Sequence, residues 1–218
     1  MDKNKIFREP VNGFTHLFGA IVSFIGLLVL VVKAAISYPT SNLKITSAII
    51  FGLSLIFLYT ASSVYHLVNS TEKVIKMLRR LDHSMIFVLI AGSYTPICLV
   101  ILQGKLRWGI FIAVWSMAIL GVLFKMIWFN MPRWLSTMFY ILMGWFVVLF
   151  INPLSQNIKL GGIILLVLGG IFYTVGGIIY GLKWPKLNLK TIGFHEIFHI
   201  LILLGSLSHY LCVFVYVI

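Results

Sequence analysis

Charge is what this 218-residue chain has least of: only 10% of its residues are Asp, Glu, Lys or Arg. A soluble domain of this length would be about a quarter charged. The shortage excludes a globule in water, because 61% of the residues are hydrophobic and too little polar surface remains to cover them. Acids are scarcer still, five against 17 Lys and Arg. There are two cysteines, Cys98 and Cys212, with no C-x-x-C and no Cys/His cluster around either. That excludes a disulfide framework and a thiolate zinc module. Alternation of polar and apolar residues is also missing, which excludes a membrane β-barrel.

What the chain has is long apolar runs, with a mean hydropathy of +1.05. A spanning helix needs roughly 20 predominantly apolar residues. Seven runs meet that length: about Gly13–Ser37, Leu43–Val68, Leu81–Leu102, Trp108–Trp128, Trp134–Asn152, Leu160–Leu182 and Ile192 to the C-terminus. The expected fold is therefore an all-α integral membrane protein. It is a single domain of seven transmembrane helices over residues 1–218, opened by a short polar segment, 1–12. The first run is too long for a typical signal-peptide core and lacks a convincing cleavage site, so it reads as a retained span. Span 6 carries glycine pairs at 161–162, 169–170 and 176–177. The last two pairs lie seven residues apart, on one helical face, and predict close packing against a neighbour. Most tryptophans fall near span ends and read as interface anchors.

The net charge of +12 does not point to nucleic acid, since no separate basic domain is available to hold it. Basic residues instead flank the apolar runs, where they set topology and meet anionic lipid. The N-terminus and alternate loops hold Lys3, Lys5, Arg8, Lys73, Lys76, Arg79, Arg80, Lys125, Arg133, Lys183, Lys186 and Lys190, twelve in all. The opposite loops hold five: Lys33, Lys44, Lys105, Arg107 and Lys159. The excess predicts a cytoplasmic N-terminus and, after seven spans, an outside C-terminus in the plasma membrane.

Ionisable groups inside a bilayer are costly, at least ~2.5–3.5 kcal/mol for a charged Asp at a helix centre. Asp82 and Glu196 are the only acids expected in spans. Alternating direction brings His16, His66, Asp82, His195 and His199 to the cytoplasmic ends of spans 1, 2, 3 and 7. Five polar residues from four helices at one depth argue for one shared site. His195 and His199 are spaced i, i+4 and project from one helix face, as do Ser62 and His66. Two such histidines and a third from another helix supply three nitrogens to a metal. A fourth position stays open, the pattern of catalytic zinc. Iron, nickel and copper accept the same ligands. Asp82 stands ready to hold a bound water and take its proton, with Ser62 as support. The plainer readings are set beside this one. Asp82 opens span 3 and suits a helix N-cap. His83, turned about 100° from it, is expected to face the interface. Glu196 is expected to snorkel to the surface. His209, ~15 Å beyond His199, is expected to be a packing histidine. The run His195-Glu196-Ile197-Phe198-His199 fits H-E-x-x-H, but an apolar span is not the soluble setting of a metalloprotease.

Four stretches together resemble a known family. They are EPVNGFTH (Glu9–His16), Ser62 to His66, LDHSMIFVLIAGSYTP (Leu81–Pro96) and HEIFHILILLGSLSHY (His195–Tyr210). Over essentially the whole chain the sequence resembles the bacterial hemolysin III proteins. These belong to the progestin and adipoQ receptor family, which includes the adiponectin receptors and is related to alkaline ceramidases. The resemblance implies seven helices, a cytoplasmic N-terminus and zinc on His66, His195 and His199. It implies that Asp82 holds the zinc water, with Ser62 in the same site and Glu9, Asn12 and His16 supporting its cytoplasmic end. The short N-terminal segment does not favour hormone reception. The resulting expectation is a zinc-dependent hydrolase of membrane-lipid amide or ester bonds, its lipid substrate entering sideways between helices. The alternatives are a pore-forming, cytolytic hemolysin, for which the chain offers no amphipathic insertion segment or ring of pore charges, and a lipid sensor with structural zinc.

Overall fold

The structure is a computed structural model that describes residues 6–128, 131–185 and 193–218. Lys3, Lys5, Lys186 and Lys190 of the charge count lie outside the described residues. Among the described residues, seven helices are long and apolar enough to cross a membrane: α1 (Pro10–Ile36), α2 (Asn42–Leu67), α3 (Glu72–Ile101), α4 (Gly104–Ile127), α5 (Arg133–Asn157), α6 (Leu160–Leu182) and α7 (Phe194–Val217). The exposed faces are apolar: Phe18, Ile25 and Val32 on α1, and Ile112, Ile119 and Leu123 on α4. Such faces are stable only against lipid.

Local chemistry sets the helix ends. Pro10 opens α1, where its missing N–H costs nothing. Ser41 caps α2 by accepting from the Leu43 N–H at 3.2 Å. The third helix differs from the sequence expectation, which started it at Leu81. It begins at Glu72, capped by Thr71, and takes in the charged stretch that read as a loop. Lys76 and Glu72 pair across one turn at 3.5 Å, which keeps this first part helical at the surface. Asp82 is therefore no N-cap; it lies ~15 Å inside the helix. Helix α5 also runs further than expected, to Asn157, and tightens over Trp145–Phe150. The Tyr94 hydroxyl repairs that break, accepting from the Val147 N–H at 2.8 Å and donating to the Gly144 carbonyl at 2.6 Å.

The helices pack mostly as sequence neighbours, and α7 closes back on α1. The glycine pairs of α6 face two ways. Gly169 and Gly176 sit against His209 and Leu201 of α7, whereas Gly170 and Gly177 sit against Trp145 and Thr137 of α5. A Cβ built at Gly169 would come within 2.2 Å of the His209 ring, so the α6–α7 approach needs glycine there. Trp108, Trp128, Trp134 and Trp184 are exposed near helix ends. Trp115 and Trp145 instead turn inward and donate to Thr95 and Thr174. Cys98 and Cys212 are buried free thiols.

Candidate metal centre

The site lies where the start of α1, the end of α2, the first turns of α7 and the inner part of α3 meet. His66, one residue before the end of α2, is 1% exposed. Its Nδ1 lies 2.5 Å from Glu9 Oε2. A carboxylate there fixes the proton on Nδ1 and turns the Nε2 lone pair inward. His195 Nε2 lies 3.3 Å from His66 Nε2. The His199 ring is 4.9 Å from His66 and 4.8 Å from His195. One ligand atom from each of the three lies within 4.8 Å of the others, so the three can hold a metal ion.

The chemistry of the donors fits a cation. The His199 Nδ1 is buried without a hydrogen-bond partner. His66 and His195 turn their Nε2 atoms toward each other at 3.3 Å, where a cation can replace a shared proton. Buried lone pairs without donors are rare in folded proteins, and a shared cation would satisfy them.

The N-terminal segment locks this arrangement. Glu9 N–H donates to the His66 carbonyl at 3.0 Å and Arg8 N–H to the Leu67 carbonyl at 3.3 Å. The Arg8 guanidinium donates to the Tyr65 carbonyl at 2.5 Å and stacks over the Tyr65 ring. The hydrogen bond to His66 holds the Glu9 carboxyl below its ordinary range, against partial burial, which pushes it up. Asn12 Nδ2 donates to Glu196 Oε1 at 2.7 Å, and Glu196 Oε2 accepts from the Gly193 N–H at 2.8 Å. Glu196 thus does not snorkel; it closes the first turn of α7 and ties it to α1. His16 is outside the group of three. It is buried, with neither ring nitrogen partnered, and stacks on His199 at 3.7 Å.

Asp82 and Ser62 are buried hydrogen-bonding neighbours beside the histidines. They share with His16, His195 and His199 the wall of one cavity of about 160 Å³. His83 also lines it, contrary to the expected interface position: its Nε2 meets the Tyr180 hydroxyl at 3.2 Å and lies 3.9 Å from Asp82 Oδ2. The extra surface turns of α3 explain this, since they move His83 from the membrane boundary into the bundle. His209, at the far end of the cavity, has its Nε2 3.2 Å from the Leu166 carbonyl. It is the packing histidine expected. Sequence reading missed Lys125, which is buried on the same wall. Its place at the end of an apolar run made it look like a topology charge.

The chain matches known proteins over nearly its whole length. The family model described as Haemolysin-III related matches residues 4–210. Hemolysin-3 of Bacillus cereus is 37% identical over 96% of this chain and 92% of its own. The Hemolysin-3 homolog of Bacillus subtilis (strain 168) is 38% identical over 97% of this chain and 95% of its own. The human monocyte to macrophage differentiation factor is 24% identical over 98% of this chain and 86% of its own.

Proposed function

The chain belongs to the haemolysin-III related family of multi-pass membrane proteins, and from that premise we propose that it is a zinc-dependent hydrolase of an amide or ester bond in a membrane lipid. The observation that carries this reading is the shared cavity: His195 and His199, two of the three clustered imidazoles, line one apolar pocket with the buried Asp82 carboxylate and Ser62, and His66 stands behind them.

His66, His195 and His199 would hold the zinc. A tetrahedral ion with Zn–N of about 2.0–2.1 Å needs ligand nitrogens ~3.3–3.4 Å apart. The 3.3 Å between His66 and His195 Nε2 atoms meets that spacing. Bound there, zinc would supply a water of lowered pKa and polarise a carbonyl. Glu9 orients His66, and Asn12 with Glu196 sets the pitch of the helix that carries the other two histidines. His16 caps His199 and keeps water from that face. Asp82 takes the proton of the attacking water and returns it to the leaving group. Ser62 holds the Asp82 carboxylate toward the cavity.

Basic residues support a cytoplasmic placement of this end. Among the described residues, Arg8, Lys73, Lys76, Arg79, Arg80, Lys125, Arg133 and Lys183 lie on the site's side, against Lys33, Lys44, Lys105, Arg107 and Lys159 opposite. The protein then sits in the plasma membrane with its metal centre toward the cytoplasmic leaflet, and lipid enters between helices. Metal chemistry is favoured over zinc in a purely structural role because His195 and His199 open onto a cavity that also holds Asp82.

The test is release of labelled fatty acid from mixed membrane lipids by the purified protein. Release is expected from the wild type and not from His66→Ala. No release from metal-replete wild type on any amide or ester lipid would defeat the hydrolase reading. The name Hemolysin-3 borne by the Bacillus relatives favours lysis as the second reading. Liposome leakage that persists in His66→Ala would support it.

A further inference from the structure

The cavity is layered along its length. Arg79, Asp82 and Ile86 are spaced i, i+3, i+7 on one face of α3 and all line it. Positive charge comes first, then the reacting carboxylate, then apolar wall. Lys76, Lys125 and Arg133 also line the charged end. From His195 to His209 the wall follows fourteen residues of α7, ~21 Å at 1.5 Å per residue. Ile90, Trp145, Phe198 and Ile202 line that stretch, a depth suited to one long acyl chain.

An ordinary topology role does not explain Lys125. Topology charges stand in loops with their heads in water. Lys125 is 8% exposed, inside the bundle, and its ammonium donates to Ser136 Oγ at 2.6 Å. A hydroxyl does not neutralise a cation. Among the described residues no carboxylate lies within ion-pair distance of Lys125. The Arg133 guanidinium lies 5.3 Å from the centre of the Tyr180 ring, whose hydroxyl meets His83. Asp82 is the single acid on the cavity wall among the described residues, and it lies among the site residues. A buried cation that faces a cavity needs a counter-charge; for Lys125 the ligand must bring it, with the exposed Arg79 and the half-buried Arg133 at the same end to share it.

We infer that the lipid taken by this cavity carries a net negative headgroup, seated on Lys125, Arg79 and Arg133, with one acyl chain running toward Trp145 and His209. In that pose the bonds next to the headgroup fall beside Asp82, one helical turn beyond Arg79. This inference rests on reading the cavity as a lipid site, but not on turnover.

Equilibrium binding to the full-length, metal-replete protein in neutral detergent tests it, with fluorescent lysophosphatidylglycerol and lysophosphatidylcholine of one acyl chain as probes. The wild type is expected to bind the anionic probe at least ~10-fold more tightly, a difference of about 1.4 kcal/mol. Lys125→Met is expected to abolish the preference and Lys125→Arg to retain it. Lys183→Met, which removes an exposed charge outside the cavity, is expected to leave it unchanged. Equal binding of the two probes by wild type, or an undiminished preference in Lys125→Met, would overturn the inference. So would displacement of the anionic probe by glycerophosphate as effectively as by unlabelled lysolipid, since that would assign the site to a free phosphate. Probe binding and probe cleavage are read separately, so an anionic preference without hydrolysis would count against the enzyme reading and leave the inference standing.

Discussion

Asp82→Ala is expected to lower lipid turnover ~10²–10⁴-fold, the range for loss of a positioned general acid–base, while metal stays bound. The separation follows from geometry. The three imidazoles come from α2 and α7, whereas Asp82 comes from α3 and is not among the grouped ligands. Removing it takes a proton acceptor from the cavity wall without touching a ligand. Fatty-acid release and metal content, measured on one preparation, check the prediction. If Asp82→Ala lost its metal along with its turnover, Asp82 would be a ligand or a scaffold rather than a proton carrier. If turnover survived, the proton would be passing through another group, and His83, 3.9 Å from the same carboxylate, would be the first to examine.

The second large effect belongs to Glu9. Its carboxylate meets His66 Nδ1 at 2.5 Å from outside the membrane span. Loss of such an orienting partner costs about 10–100-fold in metal affinity. Glu9→Gln is expected to weaken metal retention by that factor in a chelator titration. The amide still fits the space, but it cannot carry the negative charge that supports His66. Helix content should be unchanged, since Arg8 and the Glu9 backbone still fasten the segment to the end of α2. Unaltered retention would make Glu9 a packing residue and remove it from the centre.

Span count and the meeting of His66, His195 and His199 were legible before any coordinates, for one reason. Apolar length fixes how many times the chain crosses, and crossing parity fixes which ends coincide. The i, i+4 pair on α7 added direction. Three features were not legible. The stretch from Glu72 to Arg80 is polar enough to pass for a loop, yet Thr71 and the Glu72–Lys76 pair make it helix. That error misplaced His83. Glu196 looked like a stranded acid because its partner, Asn12, lies 184 positions away in sequence. Lys125 looked like one more flanking cation because periodicity cannot tell a helix end that faces water from one that faces a cavity. The last two misses concern contacts between distant segments, where local pattern carries no information.

Metal content of the protein purified without added metal tests the central claim most directly. Elemental analysis is expected to find about one zinc per wild-type chain and far less in His199→Ala, with helix content preserved in both. A folded wild type with no stoichiometric metal, or a His199→Ala variant that keeps all of it, would contradict the account.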